Sequence, residues 1–435
     1  MMRVLPAWGT GLLLAALGCG GPAFQDAAAD ASSHEAGAGG DGAGPSDGAP
    51  GDTTPGDDAS EGGGADASGG SEASGPCAAL GPSATDVYVD QRYTATPQYG
   101  VQACPFPTVQ QGLVAASHLS GTVTVHVAGS APALDYVEMG VVAVPANVVL
   151  AGGGATRTTI SANGTCGTTT CAVTVAPGGA LDGFTVVSSG GDGIVTAAGS
   201  PAPILRNVAA AGCKSRGVVA QGAIELGPNF AARNNGLGGV ESTATATGRI
   251  HVVGTSNAFD NNTGNGINID GSAVLAFEGG TASSNFQGIR LAGAQPSGTT
   301  HTITSLTATG NTGPGGVVAY NGQTITLRSS TLTGNTSVGL LYTYANGSVL
   351  DVGTATASGG NTFGGVTATK RNGIAGVRLC VAPATVVLSG DAWATCAPTQ
   401  TMLACDVPLP STYSDILYGS VVASVITAPS CTTGP

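Results

Sequence analysis

Two short motifs alternate through residues 180–380, and no other feature of the chain restricts its fold as much. One is a glycine followed by aliphatic residues: Gly193-Ile194, Gly217-Val218, Gly239-Val240, Gly266-Ile267, Gly288-Ile289, Gly316-Val317 and Gly339-Leu340, spaced by 22 to 28 residues. A degenerate last copy is expected near Gly373. The other is an asparagine a few residues earlier, at Asn235, Asn262, Asn285, Asn311, Asn335 and Asn361. Short alternating segments such as 250–253, 302–304, 324–327 and 349–352 lie between them. A repeat of about 24 residues holding two or three short strands and glycine turns reads as one coil of a parallel solenoid. Stacked coils rise by about 4.8 Å, so equivalent residues lie above one another. The repeated asparagine then predicts a hydrogen-bonded ladder. The spacing is too long for a hexapeptide helix of about 18 residues per coil, and the leucine pattern of a leucine-rich repeat is absent.

Composition agrees with a narrow tube rather than a thick layered core. Aromatic residues are 4% of the chain and charged residues 9%, whereas glycine contributes 72 of the 435 positions. Cores of helices on sheets rely on large side chains; a tube needs only one stacked aliphatic residue per coil and face. No strict Gly-X-Y period exists, which excludes collagen, and no apolar run reaches the ~18 residues of a membrane span.

These motifs resemble the right-handed parallel β-helix of the pectin-lyase-like superfamily over roughly residues 85–400. The predicted class is therefore all-β, with about 24 residues per coil. Asp86-Val87-Tyr88-Val89-Asp90, followed by the Cys104-Pro105-Phe106-Pro107-Thr108-Val109 segment, resembles the opening module of many secreted β-helices, in which a strand and a short helix plug the first coil. Val109, Leu113 and Ala116 at helical spacing predict that helix over 108–117. Strands are expected at 122–127 and 141–150, and a disulfide-stapled cap at the far end.

The chain divides into a leader (1–18), a tether (19–76), the β-helix (77–379) and a C-terminal cap (380–435). Residues 1–19 carry Arg3, a short apolar stretch and Leu14-Ala15-Ala16-Leu17-Gly18-Cys19, which resembles the bacterial lipoprotein signal, with Cys19 as the lipidated residue. The implied address is the outer membrane or cell surface, with a lipid as the membrane partner. The tether is almost free of large apolar residues and is expected to stay disordered. Residues 1–76 hold 11 acids against one base, and residues 77–435 hold 15 against 12, so most of the net charge of −13 belongs to the leader and tether. No basic cluster exists, which argues against nucleic acid as a partner. A monomer is expected.

Ten cysteines fit an oxidising compartment. An economical pairing is Cys77–Cys104, Cys166–Cys171, Cys380–Cys396 and Cys405–Cys431, with Cys213 free and buried, although spacing does not fix connectivity. No Cys-x-x-Cys occurs, and no metal site is expected.

After each repeat glycine the first and third residues should point inward and the second and fourth outward. That register gathers Glu241, Asn268, Asp270, Arg290 and Tyr320 on neighbouring coils as the candidate patch. Resemblance to the polysaccharide lyases of the superfamily implies Arg290 as a base, with Glu241 and Asp270 holding a calcium ion against a uronate. No folded segment matches the Asn-Thr-Asp, Asp-Asp or Gly-His-Gly motifs of the family's hydrolases, and the lyases' cluster of aspartates is missing. The expected function is noncatalytic binding of a polysaccharide or other surface ligand, or a structural or adhesive role, with no cofactor; the alternative is a lyase or hydrolase acting on an acidic glycan. Tyr320, Tyr342 and Tyr344 are offered as sugar-stacking residues. His251 and His301 read as structural or exposed, Asp260, Asn261, Asn262 and Asn265 as turn and ladder residues, and Lys214, Arg216, Lys370 and Arg371 as solvated turn charges.

Overall fold

The computed structural model describes residues 77–343, 348–354, 356–365, 367–380, 385–394, 399–403, 412–419 and 424–426. The leader, the tether and Cys19 lie outside them.

The described residues form a parallel β-solenoid of about 9 turns with about 25 residues per turn. Its two long walls are sheets of 13 and 11 strands, and two five-stranded sheets cover the third side in succession. Within these walls the pairings between coils are parallel. Ile194, Val218, Val240, Ile267, Ile289, Val317 and Leu340 pair in one unbroken column of the thirteen-stranded sheet. Each is at most 1% exposed. At roughly 1.5–3 kcal/mol per buried aliphatic side chain, such columns supply the main drive to stack. Phe230, Phe259 and Phe277 add an aromatic run, with ring centroids 5.8 and 6.0 Å apart.

The asparagine ladder forms at one corner. Asn235 donates from its side chain to Asn262 Oδ1 (3.0 Å), Asn262 to Asn285 Oδ1 (3.1 Å), and Asn311 to Asn335 Oδ1 (2.9 Å). The backbone N–H of each rung donates to the next amide oxygen, including Asn285 to Asn311 at 3.0 Å. Asn361 is not a member. Asn335 donates instead to Asn372 Oδ1 (3.0 Å), and Leu340 pairs with Val377, so the last copy of the glycine motif is Gly376-Val377 rather than one at Gly373. This coil is longer than the others, and Asn361 matched the average spacing by coincidence. It serves the opposite corner, where Ser330 N–H donates to Asn361 Oδ1 and Asn361 N–H to Asp391 Oδ1.

The single helix among the described residues, Val109–Ser117, is capped by Thr108, whose hydroxyl accepts from Gln111 N–H at 3.2 Å. It buries Val109, Gly112, Leu113 and Ala116. Gly112 is required there, because a Cβ would run into Val89 and Val125 of the first coils. The stretch expected as strand over 141–150 is two strands, Val142–Val144 and Val148–Gly152, in different sheets. Asn147, at φ 61°, turns the corner between them. Alternation on both sides of the corner gives one continuous sequence pattern.

Cys77 is bonded to Cys104 and Cys166 to Cys171. Cys380 is also in a disulfide; Cys396, Cys405 and Cys431 lie outside the described residues. Cys213 is a buried free thiol, and burial pushes its pKa up to about 11. Beyond residue 380 the described strands Ala392–Trp393 and Ser414–Tyr418 pair in parallel with Thr362–Phe363 and Ala375–Cys380, continuing the same walls.

Candidate ligand-binding face

The outward column of the thirteen-stranded sheet runs Val195, Val219, Glu241, Asn268, Arg290, Val318 and Leu341. Alternation within a strand sends these side chains outward while their neighbours fill the tube. Four of the five candidate residues meet. Arg290 Nη1 donates to Asn268 Oδ1 at 2.8 Å and to Asp270 Oδ1 at 3.1 Å. Asn268 Nδ2 donates to Asp270 Oδ2 at 2.8 Å, closing a triangle. Asp270 is fixed in turn by Ser242, which receives its N–H at 2.8 Å and donates to its carbonyl at 2.7 Å. The Arg290 guanidinium lies 5.9 Å from the Tyr320 ring centroid, within cation–π range.

Glu241 is drawn the other way. Its carboxylate pairs with Arg216 Nε at 2.9 Å, and Arg216 also reaches Asp192, through its backbone N–H at 3.1 Å and Nη1 at 3.5 Å. Arg216 is therefore not a solvated turn charge, and Asp192 is only 2% exposed. Burial works against the Arg216 charge, but the hydrogen bond to Glu241 and the two carboxylates outweigh it and hold its pKa above the usual arginine value.

Asp192 and Arg216 belong to a second row that the inward–outward alternation did not reveal. It consists of the residue just before each repeat glycine and includes Asn265 and Gln287, which are paired in register. A Cβ at the repeat glycine would point inward, at Gly217 onto Asn235 and Ala232, so the position before it falls on the outer face instead of following strict alternation from the next residue. Gln287 is 3% exposed; its Oε1 and Asn265 Oδ1 are buried without a hydrogen-bond partner among the described residues. The available signal was a polar residue directly before four of the seven repeat glycines.

The strip has apolar ends. Toward the N-terminus, Val195 and Val219 pack with Cys171 beneath the disulfide-closed hairpin at 164–175. Beside them lies a cavity of about 520 Å³ lined by Ala143, Pro145, Cys166, Thr174, Val195 and Gln221. Toward the C-terminus, Leu341 packs against Val338, Ala375 and Leu417.

The remaining candidates do not join this face. Tyr342 is fully buried and donates to Gln323 O at 2.9 Å, so it offers no face to a sugar; Tyr344 lies outside the described residues. His301 is buried in the eleven-stranded wall. Its Nδ1 accepts from Leu275 N–H at 3.0 Å, so Nε2–H is the donor to Gln323 Oε1 at 3.0 Å. Burial lowers its pKa to about 4 and keeps it neutral. His251 on the same wall pairs with Glu278 at 2.8 Å. Asp260 accepts from Thr281 and Ser283, while Asn262 serves the ladder and Asn265 the outer row, so those residues diverge. Arg371 lies 5.3 Å from the Tyr413 ring rather than free in solvent. Among the described residues no group of three His, Cys, Asp or Glu side chains converges to hold a metal ion.

No family model matches the chain, and no curated protein matches it. Among solved structures it is similar to the A-module of mannuronan C-5 epimerase AlgE4 from Azotobacter vinelandii, at 15% identity and TM-score 0.43, over 80% of this chain and 98% of that one. It is also similar to the A-module of AlgE6 from the same organism, at 16% identity and TM-score 0.34, over 79% and 99%. The Dettilon tailspike protein matches at 11% identity and TM-score 0.31, over 77% and 68%. The parallel β-helix class itself rests on this chain's own ladders and register.

Proposed function

We propose that this chain is an exported, lipid-anchored β-helix protein that binds a polysaccharide on the outer face of its thirteen-stranded sheet without cleaving it. The observation that carries the reading is the closed Asn268–Asp270–Arg290 network beside Tyr320. It supplies fixed polar edges and an aromatic ring, which suit a glycan. It also occupies the groups that an elimination would need. Arg290 already donates to two partners, and Asp270 and Glu241 are each paired to an arginine instead of converging on one cation. Calcium ligation by the pair would require both to leave those partners.

Binding to a panel of neutral and acidic polysaccharides, followed by affinity electrophoresis, tests this directly. Arg290→Ala with Tyr320→Ala is expected to weaken retention by about tenfold. No unsaturated product should accumulate, with or without calcium. Ultraviolet-absorbing unsaturated ends that appear with calcium and vanish in Arg290→Ala would instead make the protein a lyase.

The anchor rests on the sequence of the leader and on Cys19. Cys19→Ser is expected to move the protein from the membrane fraction to the soluble exported fraction. Retention of the variant in the membrane fraction would remove lipidation from the account.

A further inference from the structure

The strands of the candidate face, together with Asp270, carry three carboxylates (Asp192, Glu241, Asp270) and two guanidiniums (Arg216, Arg290) between Asp192 and Tyr320. All five are consumed in mutual ion pairs: Arg216 with Asp192 and Glu241, and Arg290 with Asp270. The strip therefore has one net negative charge and no uncommitted cation on its strands. An anionic polymer approaching either arginine would meet the carboxylate already paired with it. At the separations between neighbouring side chains, like charges repel through a weakly screened medium.

The hydrogen-bonding inventory points the same way. Capturing a carboxylate or sulfate requires free donors. Here each guanidinium already faces a carboxylate with which it is paired, whereas Gln287 Oε1 and Asn265 Oδ1 are acceptors without a donor, in register on adjacent coils. A buried acceptor left unpaired costs about 1–3 kcal/mol, which a ligand hydroxyl can offset once the amide side chain turns outward and a ligand carboxylate cannot. Phe286, next to Gln287 in sequence, and Leu237 are about half exposed and offer apolar surface to sugar C–H groups.

We infer that the ligand class of this face is a neutral, hydroxyl-rich glycan and not a uronate or sulfated polymer. This rests on the glycan-binding reading above. It goes further in assigning the paired carboxylates a selective role: Asp270 and Glu241 hold the arginines and exclude anionic chains.

The test uses the exported chain with two sets of probes, neutral glucans, mannans and galactans on one side and alginate and polygalacturonate on the other, at low and high salt. The unmodified protein should bind a neutral probe with little salt dependence and neither uronate. Asp270→Asn removes the carboxylate paired with Arg290; separately, Glu241→Gln leaves Arg216 with Asp192 alone, and each change cancels the net negative charge of the strip. Each should gain uronate binding by about tenfold at low salt, lost again at high salt. Gln287→Met keeps the side-chain length and removes the acceptor, so it should weaken neutral-glycan binding by several-fold while circular dichroism stays that of the unmodified protein. Tight, salt-sensitive uronate binding by the unmodified protein would overturn the inference while leaving glycan binding intact. Unchanged neutral-glycan binding in Gln287→Met would overturn the acceptor argument. Failure to bind any probe would overturn the glycan-binding reading itself, and this inference with it.

Discussion

Asn285→Ala should destabilise the solenoid by roughly 4 kcal/mol or more, which makes it one of the two largest single-residue effects expected in this fold. The side chain is 1% exposed. Its Oδ1 accepts from both the backbone N–H and the side chain of Asn262, at 2.9 and 3.1 Å, and its Nδ2 donates to Phe259 O at 2.7 Å. Alanine removes all three bonds, leaving Asn262 N–H and Phe259 O unpaired and Asn262 Nδ2 with Ala232 O alone. No water-filled side offers compensation, because the ladder lies inside the tube. Coils interact mainly with their neighbours, so the break should also divide the array. Urea denaturation followed by far-ultraviolet circular dichroism should show an earlier and broader transition than for the unmodified protein. A midpoint shifted by less than the error of the measurement would mean that the ladder is decorative.

The second large effect concerns Asp391, the last rung described at the opposite corner. It is 1% exposed; its Oδ1 accepts from Asn361 N–H at 2.9 Å and from Asn361 Nδ2 at 3.0 Å, and its Oδ2 is buried without a partner among the described residues. Burial raises its pKa from 3.8 to about 7, against the pull of the two Asn361 hydrogen bonds and the Arg328 charge. The folded chain thus holds a proton that the unfolded chain releases near pH 4. The associated stability is complete below that pH and is lost as pH rises through about 7. Summed over the interval it is roughly 4 kcal/mol. Asp391→Asn retains the acceptor and removes the charge. Its stability relative to the unmodified protein should be close to zero at pH 4 and grow to roughly 4 kcal/mol by pH 8. Thermal melts of both proteins across that range measure this; parallel curves would show that Asp391 does not ionise within it.

The repeat was legible because each coil must solve the same two problems, filling the tube and turning the corner. Ile194 to Leu340 and Asn235 to Asn335 carry those solutions at nearly constant spacing, so the core column and most of the ladder followed from the sequence. The register failed where a coil lengthens. Asn361 fits the mean period, but Asn372 occupies the rung. The face was read in part for a related reason. Alternation within strands placed Asn268, Arg290 and Glu241 outward, but it breaks at the glycine, whose Cβ direction is inward like the side chain that follows it. Asp192, Arg216, Asn265 and Gln287 were therefore missed, and with them the partner that draws Glu241 away from Arg290. Side-chain pairing between coils depends on which arginine reaches which carboxylate, and sequence position alone does not decide that. Tyr342 shows the same limit: it falls in an inward column between Ala319 and Leu379, and its hydroxyl is satisfied within the core.

The central claim is that the outer face of the thirteen-stranded sheet binds an intact glycan. A crystal structure with the tightest-binding oligosaccharide tests it most directly. The account predicts an uncleaved chain lying across Arg290 and Tyr320, with hydroxyls on Asn268 and Gln287 and the Arg290–Asp270 and Arg216–Glu241 pairs still closed. An oligosaccharide bound elsewhere on the solenoid, or one found on this face as a cleaved or unsaturated product, would contradict it.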